Sequence, residues 1–232
     1  VFHNLRGYDS HFIIKKAYDF SSRLNNPHID CVPNSYEKFM SFSIGRSLKF
    51  IDSLQFMASS LEKLVENLYD SGEDKFKNFG NMKKYYPNEL DLLCMKGHYP
   101  YEWMDSPEKL DLEGLPERKH FYSTLKKDLI TEEGYEHALN VYEKLECRTF
   151  KDYHMTCLKC DVLLLADVFE KFRKTCMNYY SMDPANYLSA PSLAWDAMLK
   201  MTGVELELIT DPEILDIVEK QNRGGLCFVG SK

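Results

Sequence analysis

Apolar and polar positions alternate between residues 38 and 56. Met40, Phe42 and Ile44 are separated by serines, Gly45-Arg46 breaks the run, and Leu48 and Phe50 resume it. A period of two with one apolar face predicts a hairpin. The period changes to 3.6 in "SSLEKLVENLY", where Leu61, Leu64, Val65, Leu68 and Tyr69 share one side and Ser59 with Glu62 forms a capping box. Earlier in the chain, residues 1–5 read as a short buried strand and Gly7 as a turn. Asp9-Ser10 opens a helix through Phe20, with Phe12, Ile13, Ala17 and Phe20 on its apolar side, and Asn25-Asn26-Pro27 ends it. Residues 70–130 are aromatic and charged, punctuated by Pro87, Pro100, Pro107 and Pro116, which predicts a long excursion of short elements. Helical spacing returns at about residues 132–146, 155–179 and 192–201. It returns once more in "TDPEILDIVEKQ", with Thr210 or Asp211 as cap and Pro212 in the first turn. "NRGGLCF" reads as a glycine turn into a strand. Strands followed by helices, without internal repeats, predict an α/β layer architecture.

The chain has 232 residues, 44% of them apolar, so a sizeable packed core is possible. Its longest apolar run, residues 162–166, is far too short for a bilayer, and no membrane partner is expected. The chain opens on Val1-Phe2-His3-Asn4, like the middle of a strand and without a signal-peptide pattern, which predicts a piece of a longer protein. A net charge of −7 argues against a basic surface that wraps nucleic acid non-specifically, but leaves room for a locally basic groove. Seven scattered cysteines fit a reducing compartment better than a disulfide framework.

Chemistry concentrates in "CLKCDVLLLADVF", residues 157–169. Cys157 and Cys160 have the spacing of half a zinc knuckle, with Cys147 and His154 nearby, but no second close pair completes four ligands. A redox pair would be expected at the start of a helix after a strand, which this is not. Asp161 heads an apolar helical run, and a buried carboxylate needs a partner or a metal. Asp9, at a strand-to-helix junction just after an aromatic, is a second such acid. Two-metal phosphoryl chemistry requires carboxylates converging from different elements; helix capping is the alternative for both acids.

At these residues the sequence resembles the protein-primed branch of family B DNA polymerases, found in bacteriophages, linear organellar plasmids and Polinton/Maverick-type transposons. The likeness covers almost the whole chain. "HNLRGYD" resembles the second 3′–5′ exonuclease motif, implying that Asn4 and Tyr8 bind single-stranded DNA and that Asp9 is a metal ligand. "DSLQFM" resembles the Ser-Leu motif, placing Ser53 and Leu54 along the primer end. "MKGHYPYEWMD" resembles the Lys-bearing motif and makes Lys96 a phosphate contact. "CLKCDVLLLADVF" resembles the third exonuclease motif, Tyr-x-x-x-Asp, with Asp161 as metal ligand and Cys157 at the catalytic tyrosine position. "NRGG" resembles the Tyr-x-Gly-Gly linker, so Arg223, Gly224 and Gly225 contact template strand.

The resemblance implies an α/β fold of the ribonuclease-H-like 3′–5′ exonuclease type over residues 1–180, a mixed sheet flanked by helices. Residues 181–232 would then form the linker and the start of a polymerase domain. It implies a DNA-directed DNA polymerase with proofreading, a two-Mg²⁺ exonuclease site held by Asp9 and Asp161, and single-stranded and primer-template DNA as partners. Deoxynucleotides and a terminal-protein primer belong to the full-length parent, which would act in the nucleus if transposon-encoded and in mitochondria if plasmid-encoded. Three departures stand out: the Asp-x-Glu motif expected before Val1 is absent, Cys157 replaces the tyrosine of the third motif, and Asn222 replaces that of the linker. On that basis the piece alone is expected to be inactive. The alternatives are a non-catalytic nucleic-acid-binding module and a decayed transposon remnant.

Overall fold

The computed structural model describes residues 1–7, 9–21, 28–35, 38–45, 48–70 and 72–221. Tyr8, Arg223, Gly224 and Gly225, named above as DNA contacts, lie outside these residues. The expected strand at residues 1–5 is reduced to a single parallel bridge, Phe2 to Asp52, closed by Phe2 N–H donating to the Ile51 carbonyl (3.0 Å) and Ser53 N–H to that of Phe2 (2.8 Å). It ends there because Asn4 leaves the extended region (φ 67°) and a 3-10 turn, Leu5–Gly7, follows. A Cβ at Gly7 would meet the Asn4 side chain at 2.7 Å, so any other residue in the turn would have to displace that side chain.

Helix α1 (Asp9–Ser21) packs on the first two strands of an antiparallel sheet, β1 (Ile29–Ser35), β2 (Lys38–Ile44) and β3 (Leu48–Ile51), in the order β1-β2-β3. The predicted hairpin is β2–β3, with Phe42 opposite Phe50 and the two rings stacked at 4.5 Å. Phe42 and Ile44 are buried, whereas Leu48, expected on the same covered face, is exposed at the start of edge strand β3. Strand β1 escaped the pattern because an exposed edge strand needs no alternation. Its Pro33, which has no N–H to donate, sits where the register slips.

Helix α2 (Leu61–Glu66) is capped by Ser60, whose hydroxyl accepts from Lys63 N–H, not by Ser59 as the capping-box pattern suggested. The proline-punctuated excursion supplies much of the main core. It forms α3 (Gly80–Tyr85), α4 (Leu90–Leu93), turns at Pro107–Asp111 and Arg118–Phe121, and a small ribbon, β4 (Tyr122–Ser123) with β5 (Asp128–Leu129). Phe76, Phe79, Met82, Leu93, Cys94 and Phe121 from this stretch pack against α5 (Glu132–Lys144) and α6 (Phe150–Tyr180). Helix α6 starts five residues before the predicted 155 because Thr149 and Asp152 form a true capping box. A second cluster joins the far end of α6 to α7 (Ala190–Thr202) through Cys176, Met182, Leu193 and Ala197. There the Arg173 guanidinium grips Asp183 (3.0 and 2.5 Å) and holds its carboxyl below the usual range. Helix α8 (Pro212–Gln221), capped by Asp211, has no buried residue.

The architecture is therefore α/β, with small antiparallel sheets and many helices. The broad mixed sheet expected for a ribonuclease-H-like fold is not present among the described residues, whose one parallel element is the Phe2–Asp52 bridge. No helix of the described residues is long and apolar enough to cross a membrane.

Candidate functional site

Two of the motif segments are fastened to each other by a carboxylate that the sequence reading assigned no role. Asp52 is fully buried, and its oxygens accept from the N–H groups of Asn4 (2.8 Å), Leu54 (3.1 Å) and Arg6 (3.4 Å). His3 adds a second tie. Its Nε2–H donates to the Ser59 carbonyl (2.8 Å), leaving Nδ1 to face the Ser53 hydroxyl (3.0 Å). Ser53 is buried, with its hydroxyl 2.9 Å from the Phe2 carbonyl, so its side chain is spent on positioning the N-terminal segment. Leu54 is half-buried and Asn4 exposed.

On α6, Asp161 and the two thiols have different surroundings. Cys160 points into the main core, and burial pushes its thiol up to about 12. Cys157 is enclosed beside Tyr153, its hydrogen-bonding partner, and opposite Gly97; burial pushes it to about 12 as well. A thiol raised in this way is held in its protonated form, which does not suit a redox nucleophile. His154 is engaged through Nδ1 with the Tyr99 hydroxyl (2.7 Å). Among the described residues, no group of three or more His, Cys, Asp or Glu is placed to hold a metal ion.

Asp161 instead opens onto a cavity of about 730 Å³. Asp9, in the first turn of α1, lines the same cavity, together with Phe2 and His3. The floor is apolar, made by Leu61, Val162, Leu165, Ala166 and Phe169. Two further polar groups complete the lining. Glu170 accepts from Arg173 (2.6 Å) and is thereby neutralised, while Asn81 is held by Asp167. Lys96, in the exposed loop after α4, is close enough for its ammonium to act on the Asp161 carboxyl. Tyr101, whose phenol is raised by burial and then by Asp161 and Cys157, belongs to the same neighbourhood. Nothing local in the sequence marks Asn81 or Glu170, whereas Tyr101 lies in the aromatic-proline run "HYPYEW".

Burial raises the Asp161 pKa, and the Lys96 ammonium pulls it back. An acid raised in the folded state favours folding at low pH, and that contribution is lost as pH rises through the folded pKa. Asp161→Asn should therefore stabilise the chain at pH 7 by about 1 kcal/mol, a rise of a few degrees in Tm. The gain should shrink as the pH is lowered and Asp161 itself protonates. Unfolding curves of both proteins at several pH values test this, and a gain that grew on acidification would contradict it.

Two carboxylates facing one cavity from different elements offer the hard oxygen donors that suit a magnesium-type cation. In kind, the residues present fit such an ion, though two carboxylates are fewer than a complete pair of ions requires. The sequence model of a known family, described as DNA polymerase type B, organellar and viral, matches residues 1–232. Searches of curated proteins and of solved structures found no match.

Proposed function

The chain belongs to the organellar and viral type B DNA polymerases, nucleotidyltransferases of DNA replication, and from that premise we propose that the Asp9–Asp161 cavity is the 3′–5′ proofreading site of such an enzyme. The observation that carries this reading is that Asp9 on α1 and Asp161 on α6 line one cavity. Magnesium ions bound there would activate the attacking water and stabilise the leaving oxygen. Asp9 and Asp161 would hold them. Lys96 neutralises charge beside Asp161 and is available to a phosphate. Asp52 and His3 fix the segment that bears Asn4, so that an unpaired strand end meets a preformed edge. Deoxynucleotides, primer-template DNA and a terminal-protein primer belong to the polymerase reaction of the whole enzyme.

With Glu170 tied to Arg173, the cavity offers Asp9 and Asp161 to an ion, and position 157 carries a half-buried thiol; this favours one second reading, a module that binds single strands without cutting them. A chain extended upstream through an Asp-x-Glu segment separates the two. A labelled single strand should then be shortened from its 3′ end in Mg²⁺, and Asp9→Ala or Asp161→Ala should slow this by about 10²-fold or more. Binding without any Mg²⁺-dependent shortening would leave the module.

Position 157 supplies a further expectation for the same extended chain. A phenol donates a stronger hydrogen bond than a thiol, and one aimed donor is worth about 10²–10³ in rate. Cys157→Tyr should raise the rate while changing single-strand affinity little, because the substitution leaves Asn4, Ser53, Leu54 and Lys96 untouched. Equal rates with Cys and Tyr would remove position 157 from the chemistry.

A further inference from the structure

A second cavity, of about 530 Å³, adjoins the first along α6. Val162 lines both, so the two depressions meet at one exposed side chain. The second cavity is walled by Tyr85 and Tyr86 from the end of α3, and its α6 side carries Met155, Leu158 and Lys159. Lys159 Nζ stands over both tyrosine rings, 4.9 Å from the centroid of Tyr85 and 5.2 Å from that of Tyr86. Lys84 reaches the Tyr85 ring at 5.8 Å. Among the described residues, neither Lys84 nor Lys159 is ion-paired, whereas neighbouring Lys83 is tied to Asp74 at 2.6 Å. Tyr85 is half exposed, and so are Met155, Leu158 and Val162.

We propose that this second cavity is a single-stranded nucleic-acid subsite that delivers a strand across Val162 into the Asp9–Asp161 cavity. Aromatic faces stack on any base, and unpaired lysines beside them neutralise phosphates. A chain with a net charge of −7 keeps two lysines at this spot that make no ion pair among the described residues, which fits an anionic ligand. Lys159 rests on the two rings. A base entering the cavity takes the ring face, and the ammonium swings to the adjacent phosphate on its flexible stem. The apolar side chains on α6 exclude water beneath the base, and continuity at Val162 gives the strand one direction to go. The inference rests on the proofreading reading for its destination, though the subsite itself does not depend on cleavage.

The test uses the 232-residue chain and a fluorescent oligothymidylate, with anisotropy read across a range of salt in chelator. Wild type should bind, and bind duplex DNA less well. Tyr85→Ala should weaken binding by about 5-fold or more, the loss of one base stack. Lys159→Gln should reduce the slope of log affinity against log salt by about 0.7, the loss of one phosphate contact. Both residues are exposed, so folding should survive, and circular dichroism verifies that. Absence of binding, equal affinity for duplex, or variants identical to wild type in affinity and slope would overturn the subsite. A photoreactive thiothymidine placed inside the strand should crosslink to Tyr85 or Tyr86, and one at the 3′ end to a residue of the Asp9–Asp161 cavity. Crosslinking at the tyrosines without any in that cavity would uphold the subsite and overturn the proofreading reading instead.

Discussion

Asp167→Ala should destabilise the fold by about 3–5 kcal/mol, lowering Tm by on the order of 10 °C for a chain of this size. Asp167 lies on α6 and is 2% exposed. Its Oδ1 accepts from Asn81 N–H (2.7 Å) and the Asn81 side-chain amide (2.9 Å), and its Oδ2 from Met82 N–H (3.0 Å). Those backbone groups are unpaired donors at the start of α3, whose own N-cap residue, Phe79, supplies no side-chain hydrogen bond. Alanine would strand two N–H groups in a dry interior, each at about 1–3 kcal/mol. Asp167→Asn keeps one acceptor oxygen and turns an amide toward the other donor, so about half the loss is expected. Chemical denaturation of the three proteins decides it; an alanine variant within about 1 kcal/mol of wild type would mean that α3 finds another cap. Because Asn81 lines the candidate cavity, the milder variant should also loosen one wall of the site.

The second large effect is expected at Asp52. Asp52→Ala removes the acceptor for the Asn4 and Leu54 N–H groups and for the longer bond from Arg6 N–H, at about 2–4 kcal/mol. It also releases the left-handed backbone at Asn4, a conformation held against an intrinsic cost of order 1 kcal/mol. Amide exchange at Asn4, Gly7 and Leu54 should then accelerate well beyond that of the α6 core, where the variant touches nothing. Uniform acceleration across the chain would instead signal a global loss of stability, and unchanged exchange at Asn4 would show that Asp52 is not the clamp.

These two acids show where local reading stops. "CDVLLL" and "ADVF" look alike around Asp161 and Asp167. Six residues of α-helix turn a side chain by roughly 120° relative to the first, so one faces a cavity and the other a neighbouring helix. Asp161 could be singled out only by a motif shared with a family. Asp167 has no such mark, because its partners lie 85 and 86 residues away. Asp52 sits inside "DSLQFM", a motif that drew the eye to Ser53 and Leu54, yet the acid is what joins that motif to "HNLRGYD". Burial likewise separates the thiols from their spacing: Cys157 and Cys160 stand three apart, and the core around them raises both thiol pKa values.

What the sequence determined by itself is what acts within a few residues or recurs as a motif. The β2–β3 hairpin, the helices α1, α2 and α5–α8, and membership of a polymerase family were legible in period, caps and motif, since amphipathic faces and end-capping are short-range physics. The tertiary structure alone decided the edge strand β1, the exposure of Leu48, and the incorporation of residues 76–121 into the main core. It also brought Asp9 and Asp161 to one cavity. Each of these depends on which surface a distant segment covers. Burial and long-range hydrogen bonding set that outcome only when the whole chain has closed on itself, and no window of neighbouring residues contains it.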